Sequence, residues 1–303
     1  MKNPDISIII VNYNVKQFIL NCLNSIYNNK NNLNITFEVI VVDNHSSDGS
    51  IDAIINNYPQ VILIKNSKNT GFPTANNQAF KIAKGKYIFM LNPDTEIVDD
   101  ALVKLKNYLD NNQKINIACP KLLNTDKSIQ YSVWRFPKIK YIIAEMFYLN
   151  KFIKDKYYFD KNFNQSFEVE SMSGAAMIFR KGLLKTIGYL DENMFWIEDI
   201  DFCYRIHKKN MKIIYLPQAE IIHHIGQSAK KNYNISIYNQ TFNKIKFYKK
   251  YHSIPETVVV VVISVFNVLT RFFVFLFLSP FKKKYFIKAK AYIYTFYQIF
   301  KIN

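Results

Sequence analysis

The sequence predicts an α/β protein: a mostly parallel, Rossmann-like sheet with helices on both faces, followed by a hydrophobic and basic helical tail. Three observations carry this. Short, continuously apolar runs alternate with helical periodicities over the first 120 residues. Polar residues cluster just after those runs. The chain's charge is concentrated near its C-terminus.

Each element follows in order. Ile6–Val11 is an apolar run, and Val15–Tyr27 then repeats apolar residues at Phe18, Ile19, Cys22, Leu23 and Ile26 with helical spacing. Phe37–Val42 is a second strand, with a helix near Ile51–Asn57 after it. Val61–Lys65 and Lys86–Leu91 are further strands, separated by a helix over Thr74–Ala83. A helix at Ala101–Leu109 leads to a strand at Ile115–Cys119. Strands buried on both faces and joined by helices form parallel sheets with right-handed crossovers. Ligands in such sheets sit beyond the C-terminal strand ends. The second half is less regular. It predicts a strand or hairpin within Asn124–Phe136 and a helix with a loop over Lys138–Asn164. Strands at Ser173–Phe179 and Lys212–Leu216 flank a helix from Asp199 to about Lys209, and Ile221–His224 carries the pair His223-His224.

Several function classes are excluded. The chain holds only seven glycines, none spaced as a dinucleotide fingerprint or a phosphate-binding P-loop. Its three cysteines are far apart, which argues against a disulfide framework or a zinc site and for a reducing compartment. The polar Met1–Asp5 start runs straight into a strand, so the catalytic part is expected in the cytoplasm. Of the net charge of +17, the segment from Lys230 onward carries +12, with Glu256 its single acid.

The strand ends carry the chemistry. Asn12-Tyr13-Asn14 follows the first strand, Asp43 to Gly49 the second, and Asn92-Pro93-Asp94-Thr95-Glu96 the fourth. Asp48 or Ser47 also suits a helix cap, and Asn-Pro-Asp suits a turn. Three such groups at one sheet edge favour a site. Glu198-Asp199 opens a predicted helix, where acids also simply complement the helix dipole.

The ordered set SIIIVNYN, VVDNHSSDGS, NTGFPTANNQAF, LNPDTE, SGAAMIFRK, WIEDIDFCYRIHK and IIHHIGQS resembles family 2 glycosyltransferases of GT-A fold, and within them the rhamnosyltransferase-like subgroup. The resemblance covers roughly residues 5–250. It implies an inverting transfer from a nucleotide-diphospho-sugar, with dTDP-L-rhamnose as first donor, to a hydroxyl of a lipid-linked glycan in surface polysaccharide or cell-wall biosynthesis. It implies that Asn12, Tyr13, Asn14, Asp43, Asp48, Asn92 and Asp94 bind the nucleotide sugar. A carboxylate at Asp43 suits the imide N–H of uracil or thymine, and Tyr13 suits packing on the base. The family's Asp-x-Asp motif falls on Asn92-Pro93-Asp94, so Asp94 is the expected carboxylate ligand of Mn2+ or Mg2+, with His223 as the compensating imidazole. His224 would face the other way on a strand. Asp199 is the expected general base and Glu198 its substrate-orienting neighbour. Trp134 and Arg135 fall on the acceptor side, where Arg135 either meets phosphate or is a solvated surface residue. A UDP-linked hexose, N-acetylhexosamine or galactofuranose, and a non-catalytic nucleotide-sugar-binding scaffold, are the alternatives.

Val258–Leu278 is long enough as a helix to cross a bilayer, interrupted by Ser264, Asn267, Thr270 and Arg271. Lysines flank it on both sides, at Lys249-Lys250 and Lys282–Lys284, which favours a monotopic or re-entrant segment over a single crossing. The Phe281–Phe300 helix is then expected on an anionic membrane surface. The expected division is a catalytic domain at 1–229, a connecting helix at 230–256 and a membrane-associating tail at 257–303, on the cytoplasmic face of the cell membrane. Nucleic acid is not an expected partner, since the tail's lysines are interleaved with apolar residues. A homo-oligomer is left open.

Overall fold

The computed structural model describes residues 3–28, 35–147, 149, 153–158, 160–224 and 233–299. Gly226-Gln227-Ser228, the boundary at 229/230 and Phe300 lie outside the described residues. The first half runs β1 (Ile6–Asn12), α1 (Lys16–Asn28), β2 (Phe37–Asp43), α2 (Ser50–Asn57), β3 (Ile62–Lys65), α3 (Phe72–Ile82), β4 (Tyr87–Leu91), β5 (Thr95–Ile97), α4 (Ala101–Asn111) and β6 (Ile115–Leu123). Short strands β7 (Ile129–Gln130) and β8 (Val133–Trp134) precede α5 (Ile139–Met146). There follow β9 (Phe167–Val169), β10 (Ser171–Met172), β11 (Ala176–Arg180), α6 (Leu183–Ile187), α7 (Glu198–His207) and β12 (Lys212–His223), then α8 (Tyr233–Tyr251), α9 (Ile254–Leu278) and α10 (Lys283–Ile299). These elements divide into two units.

The first unit takes in residues up to Phe136, Tyr157–Asn193 and Glu198–Ile225. Ten of its described strands form one sheet in the order β3-β2-β1-β4-β11-β6-β12-β5, with β7 on β6 and β9 on β12, and β8 pairs with β10 in a separate two-stranded sheet. β1, β2, β3 and β4 are parallel, and β6 and β12 run the same way. The sheet is more mixed than the apolar runs predict, because β11 lies antiparallel between β4 and β6. A fully buried strand is apolar on both faces whichever way it runs, so its direction leaves no trace in the pattern.

Side chains alternate cleanly between two cores. Ile6, Ile8 and Ile10 of β1 pack with Ile19, Leu23 and Ile26 of α1 and Leu102, Leu105 and Leu109 of α4. Ile9 and Val11 face the other core, with Ala75, Ala79 and Phe80 of α3 and Phe202, Cys203 and Ile206 of α7. Helices on both faces explain why β1 is buried at every position. β12 is longer than expected: the strand at Lys212–Leu216 continues to His223. The register shifts between Leu216 and Glu220, and this irregularity accommodates Pro217, which has no N–H for the ladder.

The second unit comprises Pro137–Lys156, Met194–Ile197 and the residues from Gly226 on. α9 starts four residues earlier than expected, at Ile254, behind a capping box in which Ser253 and Glu256 bond each other's backbone amides. Val260, Ser264 and Val268 form its buried face, while Val262, Phe266, Phe273 and Phe277 are exposed. Arg271 donates to Tyr292 Oη at 3.2 Å and to the Glu145 carbonyl at 3.0 Å, so its guanidinium is held by α10 and α5. Lys244 pairs with Glu145, and Tyr248 Oη donates to the Pro137 carbonyl at 3.1 Å.

One glycine is fixed by close approach. Gly85 donates its amide to Ser7 Oγ at 2.7 Å, and a Cβ there would lie 2.4 Å from the Ser7 nitrogen. Gly85→Ala should therefore force β1 and β4 apart and lower stability by about 1–3 kcal/mol. Urea unfolding checks this, and an unchanged midpoint would refute it.

Candidate functional site

The C-terminal ends of β1 and β2 are laced together. Asn12 and Asp43, opposed in the ladder, are both fully buried. Asn12 Nδ2 donates to Asp43 Oδ1 at 2.8 Å and to Ser46 Oγ at 3.1 Å, and Asp43 Oδ2 accepts the Ser46 amide at 2.9 Å. Asn12 Oδ1 is buried with no hydrogen-bond partner among the described residues. Asn14, in the left-handed region at φ 53° that asparagine tolerates, accepts the Ser47 amide on Oδ1 at 2.8 Å. Tyr13 stands beside it, 43% exposed.

Asp48 ties two helix starts together. Oδ2 accepts the Lys16 amide at the start of α1, at 2.8 Å, and Oδ1 accepts the Ser50 amide at the start of α2, at 3.0 Å. Burial pushes its carboxyl up, but these bonds and one from the Ser50 hydroxyl outweigh it and hold the group below the usual carboxylate range. The motifs gave no notice of a second hub. Asn44 Oδ1 accepts from Asn66 Nδ2 at 3.1 Å and from the Thr70 amide at 2.9 Å, which fastens the β3–α3 loop to the β2 end. The density of short polar residues at strand ends was its only signal.

The ladder brings the next two groups to the same edge. β11 starts where β4 ends, with Ala176 opposite Leu91, and the Asn92 amide donates to the Ala175 carbonyl at 2.8 Å. Gly174, just before it, donates its amide to Asp199 Oδ2 at 3.0 Å. The Ile200 amide donates to Asp199 Oδ1 at 2.7 Å. Burial raises the Asp199 carboxyl to about 6, against the lowering effect of the backbone bonds from Gly174 and Ile200. Glu198 is 8% exposed at the first position of α7. Two residues earlier Trp196 has φ 78°, a strained conformation for a bulky side chain that no sequence pattern announces. The third acid of this turn is structural, since Asp201 is fully buried and accepts from Arg205 Nε at 2.9 Å.

β5 pairs antiparallel with the end of β12, His223 opposite Thr95. That pairing sets Asp94 Oδ1 3.4 Å from His223 Nε2. His224 donates its amide to the Asp94 carbonyl at 2.8 Å, while its ring turns away to Glu96 Oε1 at 2.7 Å and Thr125 Oγ1 at 3.1 Å. Among the described residues no three His, Cys, Asp or Glu side chains are spaced to hold a metal. Asp94 and His223 supply two adjacent donors of the oxygen and imidazole type, which fits a divalent cation whose other ligands come from diphosphate and water.

Trp134 lies on β8, paired with Ser171 of β10, and its buried Nε1 has no partner among the described residues. Arg135 is half-buried and paired. Nη1 donates to Glu170 Oε1 at 3.0 Å, and the guanidinium lies 4.6 Å from the Tyr158 ring centroid.

Comparison with known proteins places the family and the fold. Residues 7–188 match the family described as Glycosyl transferase family 2. The chain is 39% identical over 113 residues to the Poly(ribitol-phosphate) beta-glucosyltransferase of Bacillus spizizenii, covering 36% of this chain and 18% of that protein. It is 23% identical over 212 residues to the N-acetylglucosaminyl-diphospho-decaprenol L-rhamnosyltransferase of Mycobacterium tuberculosis, covering 64% and 68%. The chain thus spans less than a fifth of the first relative's length and about two thirds of the second's. In structure it is similar to the mannosyltransferase PcManGT from Pyrobaculum calidifontis, solved with GDP-Man and Mn2+, with TM-score 0.56, 15% identity, and 97% and 86% of the two chains covered. The fold is GT-A, and the chain belongs to glycosyl transferase family 2.

Proposed function

We propose that this glycosyltransferase moves a sugar, with inversion, from a nucleotide-diphospho-sugar to a hydroxyl of a lipid-linked glycan in surface polysaccharide or cell-wall assembly. The observation that carries the reading is the separation of two acidic functions at one sheet edge: Asp94 beside His223, and the half-buried Asp199 at the start of α7. dTDP-L-rhamnose is the first donor, a choice supported by the name of the mycobacterial relative. A UDP-linked hexose is the second, favoured by the Bacillus relative.

The residues act as follows. Asn12 and Asp43, both buried, set the shape of the loop after β2, and Asp48 ties that loop to α1. Tyr13 and Asn14 are exposed beside it and meet the base, and Asn92 meets the ribose. Asp199 takes the proton from the acceptor hydroxyl as that oxygen bonds to the anomeric carbon. The bond from this carbon to the diphosphate oxygen breaks, and its electron pair leaves with the nucleotide. Glu198 orients the acceptor, with Trp134 and Arg135 on the acceptor side. Bound by Asp94 and His223, Mn2+ or Mg2+ would neutralise charge developing on the diphosphate.

The division into a catalytic domain at 1–229, a connector at 230–256 and a tail at 257–303 is part of the same proposal. α9 is long and apolar enough to cross a membrane. Its buried face and the Arg271 bonds to α5 and α10 support a helix lying on the surface instead, since a crossing would carry those polar partners into hydrocarbon. The exposed Phe266, Phe273, Phe277 and Phe281 enter the interface, and Lys282–Lys284 meet anionic headgroups on the cytoplasmic face.

Four measurements test this. Asp199→Asn should lower transfer about 100- to 10,000-fold while leaving donor affinity unchanged. Because the base works deprotonated and its carboxyl is raised to about 6, wild-type kcat/KM should fall about tenfold per pH unit below that value. Full activity in Asp199→Asn would reject the assignment. Asp94→Ala should weaken Mn2+-dependent binding of UDP or dTDP, and equal binding in calorimetry would remove Asp94 from that role. Each of Lys282→Gln, Lys283→Gln and Lys284→Gln should lower affinity for phosphatidylserine vesicles about fivefold at low salt, about 1 kcal/mol per lysine. Wild-type protein that ignores such vesicles, or prefers DNA at matched salt, would overturn the membrane reading.

A further inference from the structure

His223 has a second ring nitrogen, Nδ1, on the side away from Asp94, and its partner decides what the ring can do. Nδ1 lies 2.6 Å from Gln130 Oε1 on β7. Which atom carries the proton follows from a chain of hydrogen bonds that starts at a carboxylate. Asp126 accepts from Ser128 Oγ at 2.5 Å and from the Ser128 amide at 3.0 Å. These bonds hold its carboxyl below the ordinary range, so at neutral pH it is an acceptor alone. Ser128 Oγ has thereby committed its hydrogen and accepts from Asn124 Nδ2 at 2.9 Å. Asn124 must then present Oδ1, which accepts from Gln130 Nε2 at 3.0 Å. Gln130 Nε2 also donates to the His223 carbonyl at 3.1 Å. With its amide nitrogen engaged twice, Gln130 presents its oxygen to His223, and an amide oxygen only accepts.

We propose that the β6–β7 hairpin, through Gln130, sets the tautomer and orientation of His223: Nδ1 bears the hydrogen, and the Nε2 lone pair faces Asp94. Gln130 is a positioning residue, acting through His223. The 3.4 Å separation of Nε2 from Asp94 Oδ1 agrees, because two lone-pair donors side by side do not close to hydrogen-bond distance. A free imidazole populates both tautomers, and only one of them offers Nε2 to a cation. The hairpin itself is firmly closed. The Asn124 amide bonds the Ser128 carbonyl and the Lys127 amide bonds the Asn124 carbonyl, both at 2.8 Å, with Lys127 turned into the left-handed region at φ 63°. Outer partners of this kind fix the ring of a metal-binding histidine and raise its basicity.

The value of this device for catalysis rests on the proposed metal-binding role of His223, but the tautomer is measurable without metal. Long-range 1H–15N NMR on the metal-free full chain, with His223→Gln to assign the signal, should show a protonated Nδ1 and a bare Nε2. Gln130→Leu should shift the signal toward the Nε2–H form, and Gln130→Glu, which keeps an acceptor, should restore Nδ1–H. In the presence of UDP, Gln130→Leu should bind Mn2+ about 10- to 100-fold more weakly by electron paramagnetic resonance, and Gln130→Glu should recover. An Nε2–H signal in wild type, or an unchanged Nδ1–H signal in Gln130→Leu, would overturn the proposal. Nδ1–H that depends on Gln130, in a wild-type protein that binds no Mn2+, would uphold the positioning role and overturn the metal reading instead.

Discussion

Asp94 and His223 meet because a strand of three residues, β5, pairs backwards against the end of β12. The rest of the site hangs on that pairing. β12 is anchored along its length to β6, which borders β11, and β11 in turn borders β4. The chain segment leaving β4 carries Asn92 and Asp94, so a continuous hydrogen-bonded path runs from one member of the pair to the other. The position of each side chain is therefore set by the sheet's register and not by the loop that bears it. Sites built on such elements hold their geometry better than sites assembled from loops alone.

Asp199 depends on the same scaffold from the opposite direction. β11 is antiparallel to its neighbours, so its N-terminal end, and not its C-terminal end, lies at the functional edge. That reversal delivers the Gly174 amide to Asp199. A parallel strand in that slot would have presented its last residues instead. The irregular strand in the sheet is thus the one that supports the Asp199 carboxylate, while the regular strands supply the polar loops after β1 and β2.

Much of this was legible in the sequence. Apolar runs located β1, β2, β4 and β6, and the polar residues after them fell at one edge, because parallel strands put all their C-terminal ends together. The ordered motifs pointed to Asp94, Asp199 and His223. What escaped shares one cause: it depends on partners distant in the chain. The direction of β11 is invisible in a doubly buried strand. The continuity of β12 is masked by Pro217, since an apolar run cannot show that a bulge will carry the ladder past it. The full burial of Asp43, the commitment of Arg135 to Glu170, and the contact of Gln130 with His223 are all tertiary facts. Gln130 in particular looks like an ordinary polar residue beside a turn.

The route of the chain through α5 has a bearing on how the protein is held together. This helix lies in sequence between β8 and β9 of the sheet-bearing unit, yet Tyr141, Ile142 and Ala144 are buried within the helical unit, and the Glu145 carbonyl receives Arg271. The C-terminal helices are therefore not an appendage strung on the end of a finished enzyme. Their removal would strip the cover from an internal stretch of the chain and leave apolar side chains facing water in the middle of the fold. Evolution could not have added or discarded the tail as a free module without also rewriting α5. The sheet-bearing and helical units are interleaved in a single thread.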